Sequence, residues 1–237
     1  MTFSVARPIY WAMARTKLLN RIKPYQHIIW DWNGTIIDDV KIGVEVVSEM
    51  LKRQGLPELS LEQYRDRFRF PISEYYKTLG FDFEKTSYHD LSEEFMNLYS
   101  SKSHKVTIFS EMKEVLSEVA KTKTQSILSA GAQWYLEAAT IQYNIQHYFT
   151  HIFGLDNYFA NSKLQRGQEL VLKSKVCPSQ TLLIGDTDHD LEVGRALGID
   201  VLLTADGHQS FERLSKNHKH VLPTGLRTSI NYEGEEL

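Results

Sequence analysis

The segment Asp31-Trp32-Asn33-Gly34-Thr35 has the residue types of a reactive loop. It follows the apolar run Ile28-Ile29-Trp30, which predicts a buried strand, so Asp31 is expected at the carboxyl end of that strand. An aspartate in this position can act as a nucleophile, and a glycine beside it lets the backbone approach a phosphate closely. The segment therefore predicts covalent chemistry on a phosphorylated compound.

Polar side chains also follow three later apolar runs. Ser129 follows a short run at residues 126–128, Lys163 follows a weaker strand pattern at residues 151–154, and Asp186 and Asp190 follow a strong run at residues 181–184. Helical patterns separate these runs, which predicts an α/β fold with a Rossmann-like parallel sheet. Because ligands in such sheets bind at the carboxyl ends of the strands, these loops are expected to meet at one edge.

The chemistry that this set predicts is phosphoryl transfer to a carboxylate. Asp31 and a phosphomonoester are both anions, so their repulsion must be neutralised, and Mg²⁺ held by hard oxygen ligands does this. The predicted metal ligands are Asp31, the backbone carbonyl of Asn33, Asp186 and Asp190. The predicted phosphate ligands are Thr35, Ser129, Ala130 and Lys163, and the predicted catalytic residues are Asp31, Asn33 and Lys163. Preorganised charge of this kind is usually the largest catalytic contribution.

The ordered set of motifs resembles the haloacid dehalogenase superfamily, on its phosphatase side. The motifs are Asp31-x-Asn-Gly-Thr, Ser129 after an apolar run, Lys163, and Gly185-Asp186-x-x-x-Asp190, and the resemblance spans residues 28–210. A helical segment after the first motif is similar to the small α-helical cap of phosphoglycolate-phosphatase-like members. The resemblance implies an aspartyl-phosphate intermediate on Asp31, a Mg²⁺ cofactor and a cap that closes over the substrate.

Asn33 departs from the pattern of this family. Its phosphatases usually have an aspartate there, which protonates the leaving oxygen and later activates water; such help contributes about 10²–10⁴-fold. Asn33 therefore predicts a slow hydrolase, an acid supplied elsewhere with His189 and His208 as candidates, or a leaving group that needs no proton. A long-lived phosphoenzyme and a phospho-ligand-binding protein without turnover are further alternatives.

Several of these residues have simpler interpretations. Ser129 could cap a helix expected at residues 132–143, and Asp188 could favour the start of the next helix through its dipole. In the cap, Arg65 and Arg69 share a helical face, and Arg69 is the candidate for gripping a substrate anion. A solvated arginine face explains the same pattern. The aromatic set Tyr75, Tyr76, Phe81 and Phe83 is expected in the core of the cap.

The composition limits the class of protein. The chain has 237 residues, a net charge of −3 and a hydrophobic fraction of 42%, which favours a folded domain and gives no indication of nucleic-acid binding. No apolar run approaches the roughly 20 residues that a membrane span needs. Cys177 is the single cysteine, so an internal disulfide is excluded and a reducing, cytoplasmic location is expected.

The predicted organisation has four parts. A basic extension, predicted to be helical, comprises residues 1–26, the core comprises residues 27–39 and 106–223, the helical cap comprises residues 40–105, and a polar tail comprises residues 224–237. Residues 1–30 contain no Asp or Glu, and a helix is expected at about residues 9–22. A transit peptide has a similar composition, but an extra helix packed on the domain or on a second subunit is preferred; docking to a membrane surface is the other alternative.

The sequence as a whole predicts a Mg²⁺-dependent hydrolase of a small phosphorylated metabolite. The alternatives are a catalytically weak phospho-ligand-binding or regulatory protein, and a phosphotransferase whose acceptor is not water.

Overall fold

The centre of the fold is a parallel sheet. The computed structural model describes residues 15–157, 159–160 and 162–223. In chain order its strands are β1 (His27–Trp30), β2 (Ile37–Asp38), β3 (Thr107–Ile108), β4 (Thr124–Ala132), β5 (His151–Leu155), β6 (Thr181–Gly185), β7 (Asp200–Thr204) and β8 (Val221–Leu222). Six of them form one sheet in the order β5-β4-β1-β6-β7-β8, and each pair in it is parallel. This arrangement confirms the predicted α/β fold class.

Helices cover both faces of the sheet. They are α1 (residues 15–22), α2 (Val40–Arg53), α3 (Leu61–Arg67), α4 (Ile72–Leu79), α5 (Tyr88–Lys102), α6 (Met112–Ala120), α7 (Gln133–Gln142), α8 (Leu164–Ser174), α9 (Asp188–Leu197) and α10 (Phe211–Asn217). All four residues of β1 are buried, as expected for a central strand that is covered on both faces. One apolar cluster fills the side that α2–α6 share, and a second cluster lies under α8, α9 and α10.

Local sequence signals set the limits of several helices. Ser60 and Gln63 form a reciprocal capping box at the start of α3, and Thr187 and Asp190 form another at the start of α9. Gly55 follows α2 with a φ of 71°, a left-handed conformation that glycine adopts without strain. Thr187 is thus the N-cap of α9, and Asp188 lies in the first turn, where a carboxylate favours the helix dipole as predicted.

The helices α2–α5 lie within the predicted insertion at residues 40–105. The short antiparallel pair of β2 and β3 joins its two ends, with Ile37 opposite Ile108 and Asp38 opposite Thr107. The sequence pattern did not predict this pair, because two-residue strands have no detectable periodicity. The pair brings the chain back to the core at the point where it left.

Two predicted elements differ from the structure. The strand at residues 126–128 is longer, because β4 continues through residues 129–131 with a shifted register and pairs Ala132 with Leu155. Ala132 is the N-cap of α7 and forms no side-chain cap, so Ser129 does not cap that helix.

The predicted N-terminal helix is described only from residue 15. Leu18 and Ile22 of α1 are fully buried in the main apolar cluster, which matches a helix packed on the domain. Residues 1–14 and the predicted polar tail at residues 224–237 lie outside the described residues. Among the helices of the described part, none has the length and apolar character to cross a membrane.

Candidate active site

The candidate site lies where the strand order reverses. The chain runs outward from β1 to β4 and β5, and then returns to place β6 on the other side of β1. Such a switch point opens a crevice at the carboxyl ends of the strands. Asp31 follows β1, Asp186 follows β6 and Lys163 precedes α8, and all three side chains line one cavity of about 160 Å³. These loops therefore meet at one edge of the sheet, as predicted.

Lys163 ties two of the carboxylates together. Its ammonium group forms an ion pair with Asp31 and another with Asp190, at 2.6 Å from Asp190 Oδ1, and also donates to the carbonyl of Leu128 at 3.1 Å. The Lys163 side chain is 3% exposed. Burial alone would lower the pKa of Lys163, but the charges of Asp190 and Asp31 outweigh it and raise the pKa, so the lysine stays charged.

Three carboxylates crowd this end of the site. One oxygen each of Asp31, Asp186 and Asp190 lies within 4.8 Å of the others. Burial raises the pKa of Asp31 to about 6 in spite of Lys163, and burial raises the pKa of Asp186 well above its usual range. The pKa of Asp190 is lowered, because Lys163 and Thr187 outweigh the effect of burial. The cluster therefore carries more buried negative charge than Lys163 neutralises.

This charge imbalance is the test of whether the residues fit a divalent cation, and they do. Hard carboxylate oxygens, buried and closely spaced, are the donors that Mg²⁺ takes in proteins. Raised pKa values at Asp31 and Asp186 are the expected sign of carboxylates without their full complement of positive charge. The cluster could therefore bind a metal ion.

A glycine beside Asp186 makes room for its carboxylate. Gly34 has a φ of 69°, and a Cβ atom there would collide with the Asp186 carboxylate and come within 2.8 Å of His208. The amide of His208 donates to Asp186 Oδ2 at 2.5 Å. Thr35, a predicted phosphate ligand, is completely buried and directs its hydroxyl to Asp186 Oδ1 at 3.4 Å. Thr35 does not line the cavity, and its hydroxyl orients a carboxylate there.

Ser129 and Ala130 lie at the cavity as predicted. Both line it, together with Gly131 and Ala132. The Ser129 hydroxyl oxygen accepts from the amide of Gly131 at 2.9 Å, so its own proton is directed elsewhere. The residue is 1% exposed. A buried hydroxyl held in this way can donate to an oxygen of a bound ligand.

The amide of Asn33 has a fixed orientation. Its Nδ2 donates to Asp39 Oδ2 at 2.6 Å and to the Tyr99 hydroxyl at 3.3 Å. A carboxylate only accepts hydrogen bonds, so the NH₂ side of the amide must face Asp39. Oδ1 therefore points the other way, toward Gly131, where a Cβ atom would lie 3.8 Å from it. Asn33 presents an acceptor and no proton donor on that side.

Asp39 is the residue at the centre of a buried network that the sequence pattern did not reveal. It is 2% exposed and accepts from Gly34 N at 2.9 Å and from the Tyr99 hydroxyl at 3.0 Å. His208 Nε2 lies 3.3 Å from Asp39 Oδ1, and His208 Nδ1 lies 2.9 Å from the Tyr64 hydroxyl. Burial opposes both charges, but their attraction lowers the pKa of Asp39 and raises the pKa of His208. The pair is a buried ion pair beside Asn33.

His189, the other predicted substitute for the acid, has a different environment. Its ring stacks on Phe70 with centroids 4.6 Å apart, and its Nδ1 lies 3.4 Å from Glu192. Burial and the neighbouring Lys163 charge lower its pKa, which keeps the imidazole neutral near pH 7. His189 is therefore less suited than His208 to carry a proton at the cavity.

Aromatic rings form the side of the cavity that faces the carboxylates. We call this set the aromatic wall: Tyr64, Phe68, Phe70, Tyr75, Tyr76, Tyr88, Phe95, Tyr99, Tyr135 and Phe159. Most of its members come from α3, α4, α5 and the segment between α3 and α4. Tyr75 and Tyr76 are buried in the main apolar cluster, as predicted for the cap core, and they line the cavity as well.

The cap arginines do not reach the cavity. Arg69 is exposed and its Nε donates to the carbonyl of Arg67, so the structure does not bring this predicted substrate ligand to the site. Arg65 instead donates to the carbonyls of Gly207 and Asp206, at 3.1 and 3.2 Å. Arg213 of α10 donates in return to the carbonyls of Asp66 and Phe68, at 2.6 and 2.7 Å, so arginines join the cap to the core loops.

Comparison with known proteins agrees with this architecture. The sequence profile of the haloacid dehalogenase-like hydrolases matches residues 28–204. The chain therefore belongs to the haloacid dehalogenase-like hydrolase family, and it is an enzyme of the hydrolase class. The comparison with curated proteins finds no match.

Solved structures share the fold. A candidate phosphoglycolate phosphatase from Lactobacillus plantarum is 17% identical, with a TM-score of 0.73 over 85% of this chain and 96% of that one. A haloacid dehalogenase-like family hydrolase from Streptococcus pneumoniae is 19% identical, with a TM-score of 0.71 over 84% of this chain and 94% of that one. A candidate phosphatase from Clostridium difficile is 23% identical, with a TM-score of 0.65 over 83% and 93%. At these identities the similarity establishes the fold.

Proposed function

We propose that the protein is a Mg²⁺-dependent phosphatase that hydrolyses a small phosphorylated metabolite through an aspartyl-phosphate on Asp31. The observation that supports this proposal is the buried cluster at the switch point, where Lys163 pairs with Asp31 and Asp190 while Asp186 closes the group. A nucleophilic carboxylate and a buried lysine on one cavity are the parts that phosphoryl transfer needs.

The proposed reaction has two displacements. An Asp31 carboxylate oxygen attacks phosphorus, a new O–P bond forms, and the bond from phosphorus to the leaving oxygen breaks with its electron pair on that oxygen. Water then attacks the aspartyl-phosphate, the O–P bond to Asp31 breaks, and phosphate leaves. Overall, one phosphomonoester and one water give one alcohol and one phosphate. Water loses one proton and the alcohol oxygen gains one, so the reaction balances.

The chain's own residues prepare these steps. Lys163 neutralises Asp31 and the incoming phosphoryl oxygens together, and the Ser129 hydroxyl and the Ala130 region donate to the phosphoryl group. Asp31, the Asn33 carbonyl, Asp186 and Asp190 would hold Mg²⁺, which would supply positive charge to offset the repulsion of the nucleophile and the phosphate. Thr35 orients Asp186, which is a change from its predicted role as a phosphate ligand.

Asn33 affects how the leaving group departs. Its NH₂ group is occupied by Asp39 and Tyr99, and its Oδ1 can accept a hydrogen bond from water but cannot supply a proton. The first displacement therefore proceeds best with a leaving oxygen that is stable without protonation. This is the proposed reason for the asparagine in place of the family's usual aspartate.

The test combines turnover with detection of the intermediate. Phosphate release is measured from a panel of phosphomonoesters and from acetyl phosphate, with Mg²⁺ and with EDTA, and the protein is examined after acid quenching by intact-mass spectrometry. We expect metal-dependent release and a covalent phosphoryl group on Asp31. Asp31→Asn should lower turnover by about 10⁴-fold or more and abolish the mass increase, because the nucleophile is gone.

Asp156→Asn is the matched control, since Asp156 is exposed and does not line the cavity. It should retain full turnover. A wild-type protein that takes up phosphate on Asp31 but releases it only to an added alcohol would support the phosphotransferase alternative. A folded protein that neither turns over any compound nor becomes phosphorylated would leave phospho-ligand binding as the better function.

The proposal includes the protein's surroundings. The substrate is a small molecule, because the cavity of about 160 Å³ is too small for a folded partner. Cys177 is free, which suits a reducing compartment, and we place the enzyme in the cytoplasm on that ground. A separate prediction is that the basic N-terminal residues mediate a homo-oligomer or docking to a surface.

A further inference from the structure

The aromatic wall and the orientation of Asn33 together point to a substrate class. We infer that the enzyme hydrolyses small aryl phosphates, in which the phosphate oxygen is attached directly to an aromatic ring. This inference rests on the proposed phosphatase function and adds the chemistry of the leaving group to it. Two independent observations carry it, one on recognition and one on reactivity.

The first observation is the lining of the wall. The rings of Phe68 and Tyr75 lie 5.4 Å apart in an edge-to-face arrangement, and Phe68 stacks on His208 at 4.9 Å. On the other side, Tyr99 contacts Tyr135 edge-on at 6.1 Å. Aromatic rings prefer these offset and edge-to-face neighbours, so a wall of faces and edges is suited to receive one more ring.

The size of the cavity agrees with such an occupant. Its volume is about 160 Å³. An apolar cavity of about 150 Å³ inside a protein holds benzene. The whole cavity, its carboxylate end included, therefore has the size of one small aromatic compound, and a larger ring system or a peptide would require the cap to move.

The charges on the wall exclude an anionic leaving group. Among the described residues that line the cavity, Lys163 is the only lysine or arginine, and it is already paired with Asp31 and Asp190. Arg65 and Arg69 direct their guanidinium groups to backbone carbonyls outside the cavity. His208 also lines the cavity, but its charge is already paired with Asp39. A carboxylate placed against the wall would therefore lose its hydration without gaining an unpaired cation, which is strongly unfavourable.

The second observation is the missing proton donor at Asn33. The amide directs Oδ1 toward Gly131 and keeps its NH₂ group on Asp39 and Tyr99. An alkyl alcohol has a pKa near that of water, about 16, and leaves poorly as an alkoxide. A phenol has a pKa of about 10 and leaves far more readily as a phenolate. An aryl phosphate can therefore be cleaved although Asn33 supplies no proton to the leaving oxygen.

The experiment separates the ring from the leaving oxygen with four compounds. Phenyl phosphate and benzyl phosphate share a ring but differ in leaving-group pKa. Benzyl phosphate and cyclohexylmethyl phosphate share a primary alcohol but differ in aromaticity, and 2-phosphoglycolate carries a carboxylate. Turnover is measured for each with Mg²⁺, and binding of the non-hydrolysable phenylphosphonate and phosphonoacetate is measured by calorimetry.

We expect phenyl phosphate to exceed benzyl phosphate in kcat by about 100-fold or more, because general acid help of about 10²–10⁴-fold is absent. Benzyl phosphate should have a KM about tenfold below that of cyclohexylmethyl phosphate, and phenylphosphonate should bind at least about tenfold more tightly than phosphonoacetate. Equal or better turnover of 2-phosphoglycolate, or tighter binding of phosphonoacetate, would overturn the assignment of the substrate class.

A variant pair tests whether the charge of the cavity lining beside the aromatic wall selects the leaving group. Met96 of α5 is half-buried and lines the cavity, whereas its neighbour Asn97 is exposed and does not. Met96→Arg should lower kcat/KM for phenyl phosphate by about tenfold and raise that for 2-phosphoglycolate, while Asn97→Arg should change neither. If both variants act alike, the wall does not select the leaving group.

These outcomes are distinguishable from failure of the proposed function. Phosphorylation of Asp31 by acetyl phosphate with no preference for aryl compounds would overturn the substrate class alone. The absence of turnover and of phosphorylation with every compound would overturn both, even if phenylphosphonate bound.

Discussion

The two sides of the cavity differ in chemistry and in origin. We define the floor as Asp31, Lys163, Asp186 and Asp190. These residues come from the loops after β1, β5 and β6 and from the first turn of α9, and all of them are ionisable. The aromatic wall comes mainly from α3–α5 and is built from rings. In the proposed function, the floor performs a reaction that many phosphates undergo, whereas the wall selects the phosphate that binds. Asn33 and Asp39 also line the cavity, and we call this pair the boundary between the floor and the wall.

The boundary can be tested by exchanging its two residues. Asn33→Asp alone would set two carboxylates against each other, because Nδ2 now lies 2.6 Å from Asp39 Oδ2, and we expect no gain in rate. Combining Asn33→Asp with Asp39→Asn restores one donor and one acceptor and provides an acid. The double variant should raise kcat for cyclohexylmethyl phosphate by about 100-fold, with a much smaller effect on phenyl phosphate.

Steady-state kinetics on both substrates measures this effect, with Asp39→Asn alone as the control for loss of the His208 partner. A single Asn33→Asp variant that matches the double variant would mean that Asp39 does not restrain residue 33. The site would then accept an acid at residue 33 without a second substitution at Asp39.

The charge of the floor predicts a pH dependence of stability in the absence of metal. Burial raises the pKa of Asp31 from its ordinary value of 3.8 to about 6. The protonated form is thus favoured by folding, and this contribution is complete below about pH 4 and is lost as the pH rises through about 6. Asp31→Asn should raise the free energy of unfolding at pH 8 by on the order of 1–3 kcal/mol, and the difference should vanish near pH 4.

Chemical denaturation with EDTA across this pH range measures the change, and Asp156→Asn, at an exposed site, should show no such trend. Added Mg²⁺ should stabilise the wild type more at pH 8 than at pH 5, because protons compete for the same oxygens. Destabilisation by Asp31→Asn at pH 8 would mean that the pair with Lys163 outweighs burial.

The contact between α10 and the wall predicts the smallest effect. Arg213 bonds to the carbonyls of Asp66 and Phe68 and pairs with Asp188 at 2.6 Å, so it holds one segment of the wall over the core. Arg213→Gln should raise KM for phenyl phosphate by about fivefold, or about 1 kcal/mol, and leave kcat nearly unchanged. Arg195→Gln, which removes an exposed bond to Asn217, is the control and should be silent. A fall in kcat with an unchanged KM would show that Arg213 affects the chemistry instead.

The sequence by itself determined the order of strands and helices and the members of the floor. Asp31, Lys163, Asp186 and Asp190 could be predicted because each follows a local apolar run, and parallel topology then brings the ends of those runs together. The structure also has the helices α2–α5 within residues 40–105, the segment predicted to be helical, since apolar spacing and caps are local signals.

Only the tertiary structure decided where the remaining side chains point. Thr35 faces Asp186, which is 151 positions away, and Arg65 reaches the carbonyl of Gly207, which is 142 positions away. Asp39 and His208 come from distant parts of the sequence and meet in the core, and the wall combines rings from the cap helices with Tyr135 and Phe159 of the core. These partners are distant in sequence, so no local period encodes them, and the cavity exists only after the cap and the sheet have packed together.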